Sequence, residues 1–279
     1  MKYRWFMLLT LLFSLSLMAC QPIRPISDGG SANPMINSAG TITVDEAGIQ
    51  APDELPTGLV KLGLQNRGQA LHAIFINHLA ADETVQTSLQ LLPGAPGNKS
   101  RLIGAAFLHP GASYASVLQL PPGHYYAVDI MATTPVVDEF VVGESTRDST
   151  TAPTAALQVT VQEFAFVMPD AIAAGARWWQ IENQGKQPHD LTLYKLEKGM
   201  TREKLMEILR ATEVGQPEPR SFPSVAHWVM GAGQTNWVNF DLAAGEYVLV
   251  SMTPDLSTMP PDATQADFTK GMVHALTVK

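Results

Sequence analysis

The sequence predicts an all-β protein built as two tandem Greek-key β-sandwich domains, the second with a short inserted helix. Three observations carry this expectation. The 279 residues include 20 Pro and 21 Gly among many Val, Thr and Leu, a composition that suits short strands joined by frequent turns. Several stretches alternate core-type and polar residues, the pattern of a strand with one buried face. The chain also repeats itself. Asn66-Arg67-Gly68-Gln69-Ala70-Leu71-His72 matches Asn183-Gln184-Gly185-Lys186-Gln187-Pro188-His189, and the turn pair Gly111 and Gly123-x-Tyr125 matches Gly233 and Gly245-x-Tyr247 with the same step of 12 residues. Two separate motifs in one order argue for an internal duplication.

The bulk numbers restrict function before any motif does. Charged residues are 16% of the chain and the net charge is −8, which argues against a nucleic-acid partner because phosphate binding wants a basic face. Cys20 is the single cysteine, so neither an intrachain disulfide nor a Cys-based zinc site is available. Apolar residues at 46% are enough to give each copy a packed core of its own.

Taken in order, residues 1–20 read as a targeting segment. Lys2 and Arg4 precede an apolar run from Trp5 to Leu17 that is too short to span a membrane comfortably. Leu17-Met18-Ala19-Cys20 resembles a bacterial lipobox. The resemblance implies a diacylglyceryl group on Cys20, a membrane partner reached through that anchor, and an extracytoplasmic location. Residues 21–40, rich in Pro, Ser, Gly and Asn, read as a flexible tether.

Domain 1 is expected over residues 41–146, with a weak helix candidate from Asp82 to Leu92. A polar linker follows at residues 147–156. Domain 2 is expected over residues 157–279. Its strands include Leu191 to Leu196, the run before Gly245, the strand of Tyr247, Leu249 and Ser251, and a closing strand with His274, Leu276 and Val278 on one face. Thr201 caps a helix to about Thr212, with Leu205, Ile208 and Leu209 on its apolar face. Each copy is expected to hold its own core, so that residues 157–279 fold alone.

The end of domain 2 resembles the cupredoxins, the blue-copper fold. Asn183-x-Gly185-x-x-Pro188-His189 is similar to the segment that presents the first copper His. Gly245-x-Tyr247-x-x-x-Ser251 is similar to the strand that presents the Cys, with Ser in its place, and Gly271-Met272 is similar to the segment of the axial Met. The helix after His189 and the Pro254-Asp255 pair are similar to features of a group of secreted bacterial cupredoxin-like proteins. The loop between Ser251 and Met272 holds Asp255, Asp262 and Asp267 but no His for the remaining ligand. In domain 1, His72 stands at the first His, Asp129 at the Cys position and Asp138 at the place of His274.

A type 1 copper site needs a thiolate, and a Ser hydroxyl does not replace one. Composition therefore excludes type 1 electron transfer, and no cofactor is expected. A non-blue copper site stays open: His274, two residues past Met272, shares its face, His189 would approach from the neighbouring loop, Met252 and Met259 are near in sequence, and imidazole with thioether suits Cu(I). The plainer reading has His189 bonded across its loop and Met272 as core. His72, Asp129 and Asp138 would meet at the equivalent pole of domain 1, where a His–Asp hydrogen bond tying two strands is the plainer reading. His227 and Met230 form a further soft pair beside Trp228. No nucleophile elbow, metal-hydrolase motif or glycine-rich phosphate loop is present, so the chain is not expected to be an enzyme. A binding or structural role toward a small ligand or an envelope protein is the first expectation. Copper handling is the second, and an enzyme of unrecognised type the third.

Overall fold

Strand formation follows the alternation of side chains. In Thr235–Leu242 the residues Asn236, Val238, Phe240 and Leu242 are buried while their neighbours face outward. The pattern recurs in Leu157–Gln162, where Leu157, Val159 and Val161 are inside. The computed structural model describes residues 38–91, 97–145, 149–211, 223–256 and 262–279, all within one compact unit. The targeting segment with Cys20, most of the tether, Met259 and part of the polar linker lie outside these residues.

The first copy contributes β1 (Gly40–Asp45), β2 (Gly48–Gln50), β3 (Glu54–Leu55), β4 (Gly58–Asn66), β5 (His72–His78), helix α1 (Val85–Ser88), β6 (Arg101–Leu108), β7 (Ser113–Leu120), β8 (Gly123–Asp129) and β9 (Val136–Val142). The second contributes β10 (Leu157–Gln162), β11 (Ala165–Val167), β12 (Ala171–Ile172), β13 (Gly175–Asn183), β14 (His189–Lys195), helix α2 (Arg202–Ala211), β15 (Ala226–Met230), β16 (Thr235–Leu242), β17 (Gly245–Val250), β18 (Pro254–Asp255), β19 (Asp262–Ala266), a 3₁₀ turn (Asp267–Lys270) and β20 (Val273–Val278). Helix α1 is much shorter than the expected Asp82 to Leu92, held by a capping box between Thr84 and Thr87. Helix α2 matches expectation, except that Met206 is buried with Leu205 and Leu209 where Ile208 was expected.

The result is an all-β sandwich of two large sheets. One has the order β11-β10-β13-β16-β7-β4-β1-β2, the other β12-β20-β17-β14-β15-β6-β5-β8-β9-β3. Each order reads as a palindrome once equivalent strands of the two copies are matched. The copies meet strand to strand at the centre, where β16 pairs with β7 from Asn236↔Leu118 to Asn239↔Ala115, and β15 touches β6 at Val229↔Ala105. The copies do not keep separate cores. One continuous cluster runs from Ile42 and Leu62 through Leu118 and Trp228 to Leu249 and Leu276. The reason is geometric: the inner edges of both sheets are paired across the copies, so the space between the sheets is continuous too. Helix α2 packs outside the second sheet, where Leu205, Met206 and Leu209 cover Tyr194, Val248 and Val250.

The repeated motifs prove to be turn and corner chemistry. Asn66 Nδ2 donates to Ala70 O and Leu108 O while its Oδ1 accepts from Gly68 N; Asn183 does the same toward Gln187 O, Gly231 O and Gly185 N. Tyr125 OH donates to Pro121 O at 2.7 Å and Tyr247 OH to Ala243 O at 2.6 Å. Gly111 and Gly233 take φ of 75° and 70°, which an L side chain rarely adopts.

Candidate functional site

Three adjacent strands build the pole of the second copy. Thr192 in β14, Val250 in β17 and Val273 in β20 stand level with one another. His189 therefore lies at the start of β14 close to the end of β17, where Ser251 follows. The 3₁₀ turn is clamped there: Asp267 N donates to Thr253 O, Phe268 N to Ser251 O, and Met272 N to Asp267 O. Gly271 closes the turn at φ 107°. This clamp carries the Asp267 carboxylate in between His189 and Ser251.

His189 Nδ1 donates to Asp267 Oδ2 at 2.6 Å, and both side chains are fully buried. Ser251 Oγ lies 2.9 Å from Asp190 Oδ1 and 3.0 Å from Asp267 Oδ2. Asp190 also accepts from Thr192 Oγ1, Thr253 N and Thr253 Oγ1. A serine hydroxyl carries one hydrogen, so the two carboxyls either share it in a bifurcated bond or one of them supplies a second. Burial pushes Asp267 above the usual carboxylate range, partly opposed by the bonds from His189 and Ser251 and helped by the nearby Asp190. Burial therefore favours the neutral form of the Asp267 carboxyl, and the bonds from His189 and Ser251 favour the charged one.

The first copy reaches the same contact by another route. His72 Nδ1 donates to Asp129 Oδ2 at 2.7 Å, and Asp129 Oδ1 accepts from Ala73 N and Met131 N, each at 3.0 Å. Asp129 stands where Ser251 stands in the second copy, whereas Asp267 comes from the loop that follows. Asp138 is not part of the contact; it accepts from Ala51 N at 2.7 Å.

Met272 is fully buried in the shared core, and its carbonyl accepts from Ser251 N at 3.3 Å. His274 lies opposite Leu249, with Nε2 3.3 Å from Asp170 Oδ1. The structure therefore brings His189 to Asp267 and Ser251, and directs His274 to Asp170. Among the described residues, no three His, Cys, Asp or Glu side chains group so as to hold a metal ion. His227 sits at the joint between the copies: its Nδ1 accepts from Phe107 N at 3.3 Å, and its Nε2 is 3.7 Å from Asp190 Oδ2. The neighbouring Met230 is buried in the core and pairs across with His189.

Sequence reasoning passed over Asp190, Thr192, Thr253, Glu46 and Glu163. For the two glutamates a signal existed, since each precedes the Asn of its Asn-x-Gly turn by 20 residues. Glu46 Oε1 accepts from Gln69 N and Ala70 N, and Glu163 Oε1 accepts from Lys186 N. The aspartate contacts carried no such signal, because their partners are far away in sequence.

No family model and no curated protein matches the chain. Solved structures similar to it are auracyanins and multicopper oxidases. An auracyanin of Roseiflexus castenholzii is 16% identical over 44% of this chain and 94% of its own, with a TM-score of 0.32. Auracyanin A of Chloroflexus aurantiacus, a blue copper protein, is 20% identical over 44% and 99%, with a TM-score of 0.28. A multicopper oxidase is 9% identical over 86% and 88%, with a TM-score of 0.24. At these scores the likeness decides nothing about the site, and the sandwich stands on its own strand pairing.

Proposed function

We propose that the chain is a lipid-anchored, extracytoplasmic, cupredoxin-like protein without a type 1 copper site, acting as a binding or structural protein of the envelope. One observation carries this reading. In both copies the imidazole at the first-His position gives Nδ1 to a buried carboxylate, Asp129 or Asp267, and among the described residues neither copy contains a cysteine. Carboxylate and hydroxyl hydrogen bonds tie together the segments that converge at the pole. Hydrolytic use of Ser251 is disfavoured by connectivity. Its hydroxyl goes to two carboxylates rather than to an imidazole nitrogen, and it is fully buried.

The competing reading is copper handled through His189, Met272 and His274. It requires His189 to bind through Nε2, with Nδ1 still on Asp267, and His274 to turn from Asp170. Titration separates the two. With Cu(II) the purified protein should show no intense thiolate-to-copper absorption in the visible; a strong blue colour overturns the proposal. Tight Cu(I) binding lost in the His189→Ala, His274→Ala double variant would establish the competing reading. Tight binding that survives that variant would point to His227 and Met230.

The anchor is tested separately. A diacylglyceryl group supplies two chains, enough for stable membrane attachment where one is marginal. Cys20→Ala should release the protein from membranes or leave its leader uncleaved, and normal processing with unchanged membrane association would overturn the anchor.

A further inference from the structure

The pole of the first copy holds a pair of groups that neither the carboxylate clamp nor the copper reading uses. His72 is 94% buried, given its exposure of 6%, and its Nε2 is buried with no hydrogen-bond partner. The other ring nitrogen donates to Asp129, which is held by two backbone N–H groups. That bond places a hydrogen on Nδ1, so that in the neutral ring Nε2 is a lone pair in fixed orientation. A carboxylate behind a histidine is the usual support for a metal-binding imidazole. In front of Nε2 stands Glu46, with Oε1 3.8 Å away and its side chain 55% exposed. Glu46 is itself fixed, because Oε1 accepts from Gln69 N at 2.6 Å and Ala70 N at 3.0 Å. Those backbone bonds, the Gln69 one foremost, hold its carboxyl below the usual range. Gly68 makes room for it: a Cβ there would sit 2.7 Å from Glu46 Oε2.

We propose that His72 Nε2 and the Glu46 carboxylate form a site for a divalent cation of borderline softness, with Zn²⁺ as the probe and water completing the shell. Zinc–nitrogen and zinc–oxygen bonds together span about 4.1 Å. A donor separation of 3.8 Å therefore accepts both bonds with a bent angle at the ion. Imidazole with carboxylate and water is a donor set suited to zinc. This site lies on the Nε2 side of the ring and does not depend on how the copper question is answered.

The second copy has the same parts but a hostile surround. His189 Nε2 and Glu163 Oε1 lie 3.1 and 3.0 Å from the point where a Cβ of Gly185 would be. Phe164, at φ 62°, meets His189 edge-on at 6.4 Å between centroids, and the Lys270 ammonium lies 4.7 Å from the Phe164 ring centre. The first copy has Ala47 at the position of Phe164. The Phe164 ring packed against His189 has no counterpart in the first copy, so one ion per chain is expected.

Calorimetric titration of the full chain with Zn²⁺, alongside its thermal midpoint, tests the proposal. The wild type should bind one equivalent at micromolar concentrations and gain thermal stability. Glu46→Gln, at an exposed position, should weaken binding at least tenfold without lowering the metal-free midpoint. Gly68→Ala should act similarly by displacing the flexible end of Glu46. Asp129→Asn should weaken binding tenfold to a hundredfold through the ring it supports. Glu163→Gln should change nothing. Absence of saturable binding below millimolar Zn²⁺, or unchanged affinity in Glu46→Gln, would overturn the site.

Discussion

Asp267 is the carboxyl on which the pole of the second copy closes. It stands fully buried between an imidazole and a hydroxyl, and burial raises its proton affinity above that of the unfolded chain. The sign for stability follows. A carboxyl that is more basic when folded contributes stability that is fully present below its unfolded value, near 3.8, and lost as pH rises through the folded one. Asparagine resembles the protonated acid but does not titrate. The difference in unfolding free energy, wild type minus Asp267→Asn, should therefore fall as pH is raised from about 4 toward neutrality. Denaturation of both proteins across that range measures it, and a difference that rises with pH would refute the assignment. Removing the side chain is another matter. Asp267→Ala leaves the buried His189 Nδ1 without its partner, while Ser251 keeps Asp190, and should cost about 3 kcal/mol at neutral pH.

At the scale of elements, what repeats between the copies is the hardware that turns the chain. The tyrosine hydroxyl four residues beyond the carbonyl it bonds locks the corner into β8 in one copy and β17 in the other. Tyr125→Phe and Tyr247→Phe should each lower stability by about 1 kcal/mol, read from denaturant midpoints, because each loses one sheltered hydrogen bond. These elements were legible in the sequence because part of the information is local: Asn66 and Asn183 each bond Gly two residues on and a carbonyl four residues on, and Gly111 and Gly233 announce a backbone conformation. The last strand was legible as well, since Asp138 and His274 occupy equivalent registers opposite Ala127 and Leu249. The partner of His189 was not. It lies 78 residues on, one of several aspartates in a polar loop, and only the folding of the 3₁₀ turn onto Ser251 and Thr253 selects it. Helix α1 was over-read because polar residues between Asp82 and Leu92 permit a helix, yet little of that stretch is buried to hold one.

For the whole molecule the decisive contact is the one between the copies. Trp228 is fully buried there, against Gly104, where a Cβ would come within 2.8 Å of the indole. At Gly231 a Cβ would approach Leu102 O to 2.2 Å, and a backbone carbonyl does not yield as a side-chain end does. Gly231→Ala should therefore destabilise the protein by about 2 kcal/mol or more, with both copies melting together in one transition. Residues 157–279 alone would expose Trp228 and the unpaired edges of β15 and β16. That fragment should aggregate or stay unfolded, and a soluble β-rich monomer would show that the joint is dispensable. None of this was visible in the sequence, because an edge that pairs with another edge has no composition of its own. The mirrored strand orders say something about descent. Both edges that now join are the same surface used twice around an approximate twofold axis, the relation found in a symmetric homodimer. A single copy carrying that surface would be drawn to its twin. Linking the two in one chain preserves the assembly at any concentration and frees each half to change separately, as Ala47 and Phe164 already have.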